Sequence, residues 1–403
     1  MIPLSSPDIG DLEIERVAKV LRSGQLSLGP VLARFEEQFA AALGTKYAVA
    51  ASSGTSALHM CVKAMGLRQG MEVLTTSFSF VASVNCLLYE KVYPRLIDID
   101  PVTLNIDAER IHRFLRTKCR RDIHGRLVDS ENGLEVKAIL PVHVFGLPAD
   151  MNAILDIAAE YDLEVLEDSC EALGAEYGSR LAGTMGRAGV FGFYPNKQIT
   201  TGEGGMIVTD DAVVAEKCRS LRNQGRDADG QWLKHVSLGF NYRMSDIQAA
   251  IGLAQLERLP ELLSKRAEAA DLYKQALSDI PFLRLPCETS NAKRSWFVFV
   301  VQISTSDGRQ TRDALRQNLL SAGIATQTYF PAIHKQPYFR EFLGDPFDLP
   351  VTEHASDTCL ALPFSTRLSE TEIRFVADAV RAHYPNIVSR PEEAVGVAES
   401  APE

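Results

Sequence analysis

Lys197 stands just ahead of Gly202, Gly204 and Gly205 in the stretch YPNKQITTGEGG. A lysine amine beside pliable backbone can act as a nucleophile if the chain also holds a carbonyl compound against it; without such a partner the stretch is an exposed loop. Two other stretches bear on the choice. Residues 51–57, ASSGTSA, lie between an apolar segment and a helical pattern. Free N–H groups at a helix start, joined by hydroxyls, form a cradle for a phosphate, and Gly54 lets backbone approach it closely. Alone, this stretch also reads as an N-cap serine and a turn. Asp168 closes the segment LEVLED. A carboxylate there points into the ligand crevice of a parallel sheet, or else it caps the next helix. As an ordered set, the three supply what pyridoxal 5'-phosphate needs: an anchor for its phosphate, a carboxylate that keeps its ring nitrogen protonated, and an amine for its aldehyde. Phe78 and Phe80, in TTSFSFVAS, follow another apolar segment, where one aromatic side chain could stack on a ring and either could be core.

Such a set needs a sheet to position it. The apolar segments YAVAA (47–51), EVLTT, RLIDID, KAILPV and LEVLED read as short buried strands separated by helical stretches. That rhythm predicts an α/β fold, a mostly parallel central sheet between helices, with ligands outside the carboxyl ends of its strands. Ile14, Val17, Val20 and Leu21 mark one helix face, and Leu58, Cys61, Val62 and Met65 another. Between about 116 and 137 the rhythm breaks into a polar hairpin around Glu131-Asn132-Gly133, carrying Lys118, Arg120 and Arg121. A solvated excursion and a phosphate-binding flap are both open for it. A helix from Met244, with Ile247, Ile251 and Ala254 on one face, should break at Pro260. The division into domains is placed there: 1–258 as the large ligand-binding domain, 259–388 as a smaller α+β domain. The latter carries a strand at 295–302, a helix at 308–322 and a short strand at 324–328. Residues 389–403 are polar and read as a disordered tail.

The totals narrow the function. A formal charge of −10 argues against a nucleic-acid binder. Seven scattered cysteines without a Cys-x-x-Cys pair fit reduced thiols, with neither a disulfide framework nor a zinc site, so no metal is expected. The start, MIPLSSPDIGD, lacks the pattern of a signal peptide, and the apolar run WFVFVV is too short to span a bilayer. The expectation is a soluble cytoplasmic protein without membrane or nucleic-acid partners.

The ordered segments IPLSSPDIGDLE, SGQLSLGP, ASSGTSALH, DIDPVTLNID, HVFGLPADM, EDSCEALGAEYG, YPNKQITTGEGG, LGFNYRMSDIQAAIGLAQL, YFPAIHKQPYF and LALPFSTRLSETE together resemble the sugar-nucleotide aminotransferases of the DegT/DnrJ/StrS group. The resemblance implies the type I fold of pyridoxal-phosphate-dependent transferases and a homodimer with composite active sites. It implies that Lys197 bonds the cofactor, Asp168 pairs with its pyridine nitrogen, Gly54 and Thr55 bind its phosphate, and Phe80 stacks on its ring. Asn241, in GFNYR, would reach the phosphate of the neighbouring subunit, and Tyr329 and His334 would help shape a sugar pocket. Glutamate would be the amino donor and a nucleotide-linked keto sugar the acceptor. Two positions depart from the family pattern. Gly192 stands where a phosphate-contacting serine is frequent. Glu171 stands where glutamine often contacts the cofactor's ring oxygen, so its carboxyl must be protonated, turned away or bridged. Lys197 argues against the related sugar dehydratases, which carry histidine there, and the intact set argues against a non-catalytic regulator.

Overall fold

The structure, a computed structural model, describes residues 1–227, 234–344 and 346–383. The expected tail at 389–403 lies outside the described residues.

Seven strands make the main path of the large sheet, in the order Tyr47–Ala51, Gly205–Thr209, Ala188–Gly192, Glu164–Asp168, Glu135–Ile139, Met71–Thr76, Tyr93–Ile97. All five strands read from the sequence are present. Gly205–Thr209 runs antiparallel to both of its neighbours, and the other pairings are parallel. This one reversal has a consequence for the site. The chain leaves the sheet at Gly192, carries Lys197 past its carboxyl edge, and re-enters at Gly205 on the same edge. Ala51 and Gly192, which end neighbouring forward strands, both pair with Gly205.

Helices close both faces. Pro30–Leu43 buries Phe35 and Phe39 against Phe191 and Phe193, with ring centroids 5.5 to 5.9 Å apart. Each such ring contributes roughly 1.5–3 kcal/mol of burial. Gly54–Ala64 buries its apolar stripe under the sheet. Asp11–Ser23 forms where expected; of its apolar face Val20 is buried, together with Glu13, whereas Ile14 is 61 % and Leu21 54 % exposed. Glu13 is held inside by Arg258, Gln255 and the Gly10 N–H. Periodicity marks an apolar face but does not say which neighbour, if any, covers it.

The helix of the Met244 segment runs Asp246–Glu257 behind a Ser245 capping box. A second helix, Leu259–Leu277, starts with Pro260 in its first turn. That helix packs with Phe299–Ile303, Gly308–Ser321, Cys359–Leu362 and Glu370–Arg381 around a second core. The chain start crosses to this side: Ile2 bridges Ile324, and Leu4 accepts the Phe364 N–H at 2.8 Å. The strand expected at 324–328 is reduced to two isolated bridges, at Ile324 and Gln327. Around 116–137 the helix Ala108–Lys118 persists to Lys118, so the excursion starts at Cys119. It contains the expected turn at Asn132-Gly133 and one additional strand, Cys119–Arg121. Lys118 pairs with Glu131 at 2.7 Å.

Candidate active site

The carboxyl edge gathers the predicted residues. Ser53 caps the helix Gly54–Ala64 in a reciprocal bond with Ser56. The N–H groups of Gly54 and Thr55, in the first turn, have no preceding helical carbonyl to bond. A Cβ on Gly54 would lie 3.0 Å from Cys170 Sγ and 3.3 Å from Gly192 Cα. A Cβ on Gly205 would lie 2.5 Å from the Ser53 carbonyl oxygen and 2.7 Å from the Gly54 nitrogen. The glycines therefore let the lysine segment pack backbone to backbone against the helix start. Gly192 shares this close packing and presents no hydroxyl.

Asp168 ends its strand as expected, but it caps no helix, since the chain continues through turns. Its Oδ2 accepts the Ser83 hydroxyl at 2.7 Å and its Oδ1 accepts the Cys170 N–H at 3.1 Å. A carboxylate supplied with donors in this way is fixed in direction. Ser83 was missed by sequence reasoning. The only trace of it is a polar residue at i+4 from Ser79 in a mostly apolar helix.

Lys197 Nζ lies 3.8 Å from Glu171 Oε1 and 3.8 Å from the centre of the Phe297 ring. The two side chains are 15 % and 6 % exposed. Glu171 Oε2 accepts the Phe145 N–H at 2.9 Å. The carboxyl thus lies between the Phe145 N–H and the Lys197 amine. Burial pushes the carboxyl up to about 7; Lys197 and the Phe145 N–H pull against that rise, and Asp168 adds to it. Gln198 donates to the Glu171 carbonyl at 2.6 Å and so ties the lysine segment to this turn.

The C-terminal half supplies the far wall. Tyr329 is half-buried, bonded to Asn196, and close enough to Glu171 that burial and that carboxyl both push its phenol up. Arg266, from Leu259–Leu277, donates to the Lys197 carbonyl at 2.7 Å and to the Phe297 carbonyl at 3.2 Å. Neither Phe297, just ahead of the strand Phe299–Ile303, nor Arg266, inside a charged helix, carried a signal in the sequence.

Three predicted residues stand apart. Phe80 is 59 % exposed on the rim; its carbonyl accepts from Ser83, which places it one contact from Asp168. Asn241 is exposed and bridges Asn223, while the Tyr242 carbonyl accepts the Ser52 N–H at 2.8 Å. His334 differs from expectation. It is fully buried, with Nδ1 2.7 Å from Ser77 Oγ and Nε2 3.1 Å from Glu353 Oε1. Its imidazole joins the loop after Met71–Thr76 to the helix Pro350–Thr358 and does not face an open pocket.

An anion cradle at a helix start, a fixed carboxylate at a strand end and a part-buried amine on the same edge fit pyridoxal 5'-phosphate, and the fold is that of the transferases that use it. The DegT/DnrJ/EryC1/StrS aminotransferase family model matches residues 7–381, and the chain belongs to this family. The spore coat polysaccharide biosynthesis protein SpsC of Bacillus subtilis is 35 % identical, over 94 % of this chain and 96 % of its own. The structure is similar to PseC of Helicobacter pylori, an aminotransferase involved in pseudoaminic acid biosynthesis (TM-score 0.87, 27 % identity, 96 % and 99 % of the two chains). It is also similar to DesV of S. venezuelae (TM-score 0.82, 30 % identity, 94 % and 95 %). The protein is thus a pyridoxal-phosphate-dependent aminotransferase. No described helix is long and apolar enough to cross a membrane.

Proposed function

We propose that the enzyme moves the amino group of glutamate to the keto group of a nucleotide-linked sugar, in the biosynthesis of amino sugars for surface polysaccharides or antibiotics. The observation that carries this reading is the edge just described: a part-buried amine, a fixed carboxylate and a helix start under an open aromatic rim. Gly54 and Thr55 would hold the cofactor's phosphate, and Asp168 would hold the proton on its ring nitrogen. The cofactor supplies an aldehyde to receive the amino group and a ring to take up an electron pair. Lys197 Nζ, free while the amino group is in transit, would carry a proton between donor carbon and acceptor carbon. Phe297 and Tyr329 keep water from that nitrogen. Phe80 and Tyr194, both more than half exposed, offer flat faces on which a sugar or base can lie. Incubating the purified enzyme with glutamate and a panel of nucleotide keto sugars, scored by product mass, tests the reading. Amination of free keto acids alone would overturn it.

A cytoplasmic homodimer is part of the same proposal. Ile14, Val17 and Leu21 form an apolar groove with Ile9 and Ile251 beside Pro195 and Gly202 of the lysine segment. A second copy on that face would bury it and close the site. Asn241 would then serve the partner's phosphate cradle. Lys197→Ala and Asn241→Ala are each expected to be impaired, and mixing them, with subunit exchange verified, should regain part of the activity. No recovery after exchange would assign Asn241 to its own subunit's site.

A further inference from the structure

Glu171 is a buried carboxyl in a place that looks unfavourable for one. Asp168 and Cys170 lie beside it on its own turn, Tyr329 faces it from the C-terminal half, and among the described residues only Lys197 Nζ brings a positive charge to it. The nearby arginines are turned elsewhere: Arg266 bonds the carbonyls of Lys197 and Phe297, and Arg294 those of Phe145 and Cys287. Oε2 takes the Phe145 N–H, which leaves Oε1 directed at the ammonium. The charge of Glu171 is therefore tied to the charge of a single atom, Nζ.

That atom does not keep its charge through the chemistry. When an ammonium condenses with an aldehyde and the product nitrogen is left neutral, a carbon–nitrogen double bond forms, the aldehyde oxygen leaves as water, and one proton is set free. We propose that Glu171 is the proton-exchanging partner of Lys197: a carboxylate opposite the ammonium in the cofactor-free chain, and a neutral carboxylic acid once Nζ is joined to the cofactor. The proton released at Nζ is captured 3.8 Å away at Oε1, and the buried region gains no uncompensated charge. Glu171 is then a positioning residue that makes the amine available without losing its proton to solvent. The inference rests on Lys197 being the cofactor's lysine.

The sign follows from linkage. With Nζ as its partner the carboxyl titrates near about 7, so well above that pH it is ionised before loading. Losing the ammonium removes the main influence that lowers its pKa, while Asp168 remains, so loading drives proton uptake. The test is calorimetric titration of the cofactor-free protein with pyridoxal 5'-phosphate, in buffers of different ionisation enthalpy, for wild type and Glu171→Gln. At about pH 8 the wild type should release roughly one proton fewer per site than the variant, and the difference should shrink toward zero at about pH 6, where the carboxyl is already neutral. Infrared difference spectra of the wild type alone should show a protonated carboxyl band appearing on loading. Equal proton counts at both pH values and no new band would overturn the proposal. Borohydride reduction and peptide mapping separate the two possible failures. Label on another lysine removes both the Lys197 assignment and this inference, whereas label on Lys197 with equal counts removes only the inference.

Discussion

The floor of the site and its rim are built by different means. On the floor, Gly54, Gly192 and Gly205 bring three chain segments into backbone contact, and Asp168 is locked by Ser83 and Cys170. On the rim, Phe80, Tyr194 and Asn241 project from exposed backbone. The floor tolerates almost no change in volume, because its neighbours are main-chain atoms that cannot turn aside. The rim is bounded by side chains and solvent. A shared reaction and a variable substrate are accommodated by this division: chemistry is fixed where backbone meets backbone, and recognition is carried where side chains are free.

The sharpest test of the floor is its amine. Lys197→Ala should lower transamination by about 10⁴-fold, the size of a lost acid–base group, and should abolish covalent fixation of the cofactor by borohydride. Retention of a lysine-linked cofactor would move the chemistry elsewhere. Asp168→Asn keeps the shape but removes the charge, and a fall of about 10²–10³-fold in single-turnover rate with glutamate is expected while cofactor still binds. Gly205→Ala places a Cβ 2.5 Å from the Ser53 carbonyl. Denaturant unfolding should show a loss of about 1–3 kcal/mol, whereas a tolerated alanine would mean that the floor yields as readily as the rim. Ser83→Ala removes one donor from a charged acceptor and should cost about tenfold in the same single-turnover assay. An unchanged rate would show that the Cys170 N–H suffices to hold the carboxylate.

What could be read from the sequence follows the same division. Gly54, Asp168 and Lys197 are legible because short-range demands fix their types: a close approach, a strand end, a reactive amine. The five strands are legible for a similar reason, since each is a compact apolar run with punctuation on both sides. Ser83, Phe297 and Arg266 are not legible, because each acts on a residue at least 69 positions away. Their own surroundings read as an apolar helix, a buried strand and a charged helix. The segment 324–328 has strand-like composition but finds only isolated partners, so composition without a neighbour does not make a strand. Ile14 and Leu21 share a face, as their periodicity reads, but that face is left exposed while Glu13 is drawn inward by Arg258. His334 stands in a stretch resembling a sugar-pocket segment, yet two polar neighbours hold it inside the protein.

The bond from Arg266 to the Lys197 carbonyl bears on how such enzymes can be recombined. A chimera joined at residue 258, the natural seam between helices, would separate Arg266 from the lysine peptide with which it is matched. A foreign side chain at 266 that failed to reach that carbonyl would leave a buried acceptor unsatisfied directly behind the reactive residue. Crossing over after Leu277 instead keeps the pair in one parent, although the seam then falls beyond the helix. Inheritance of the lysine thus extends 69 residues beyond the lysine itself, as far as the guanidinium that holds its backbone in place.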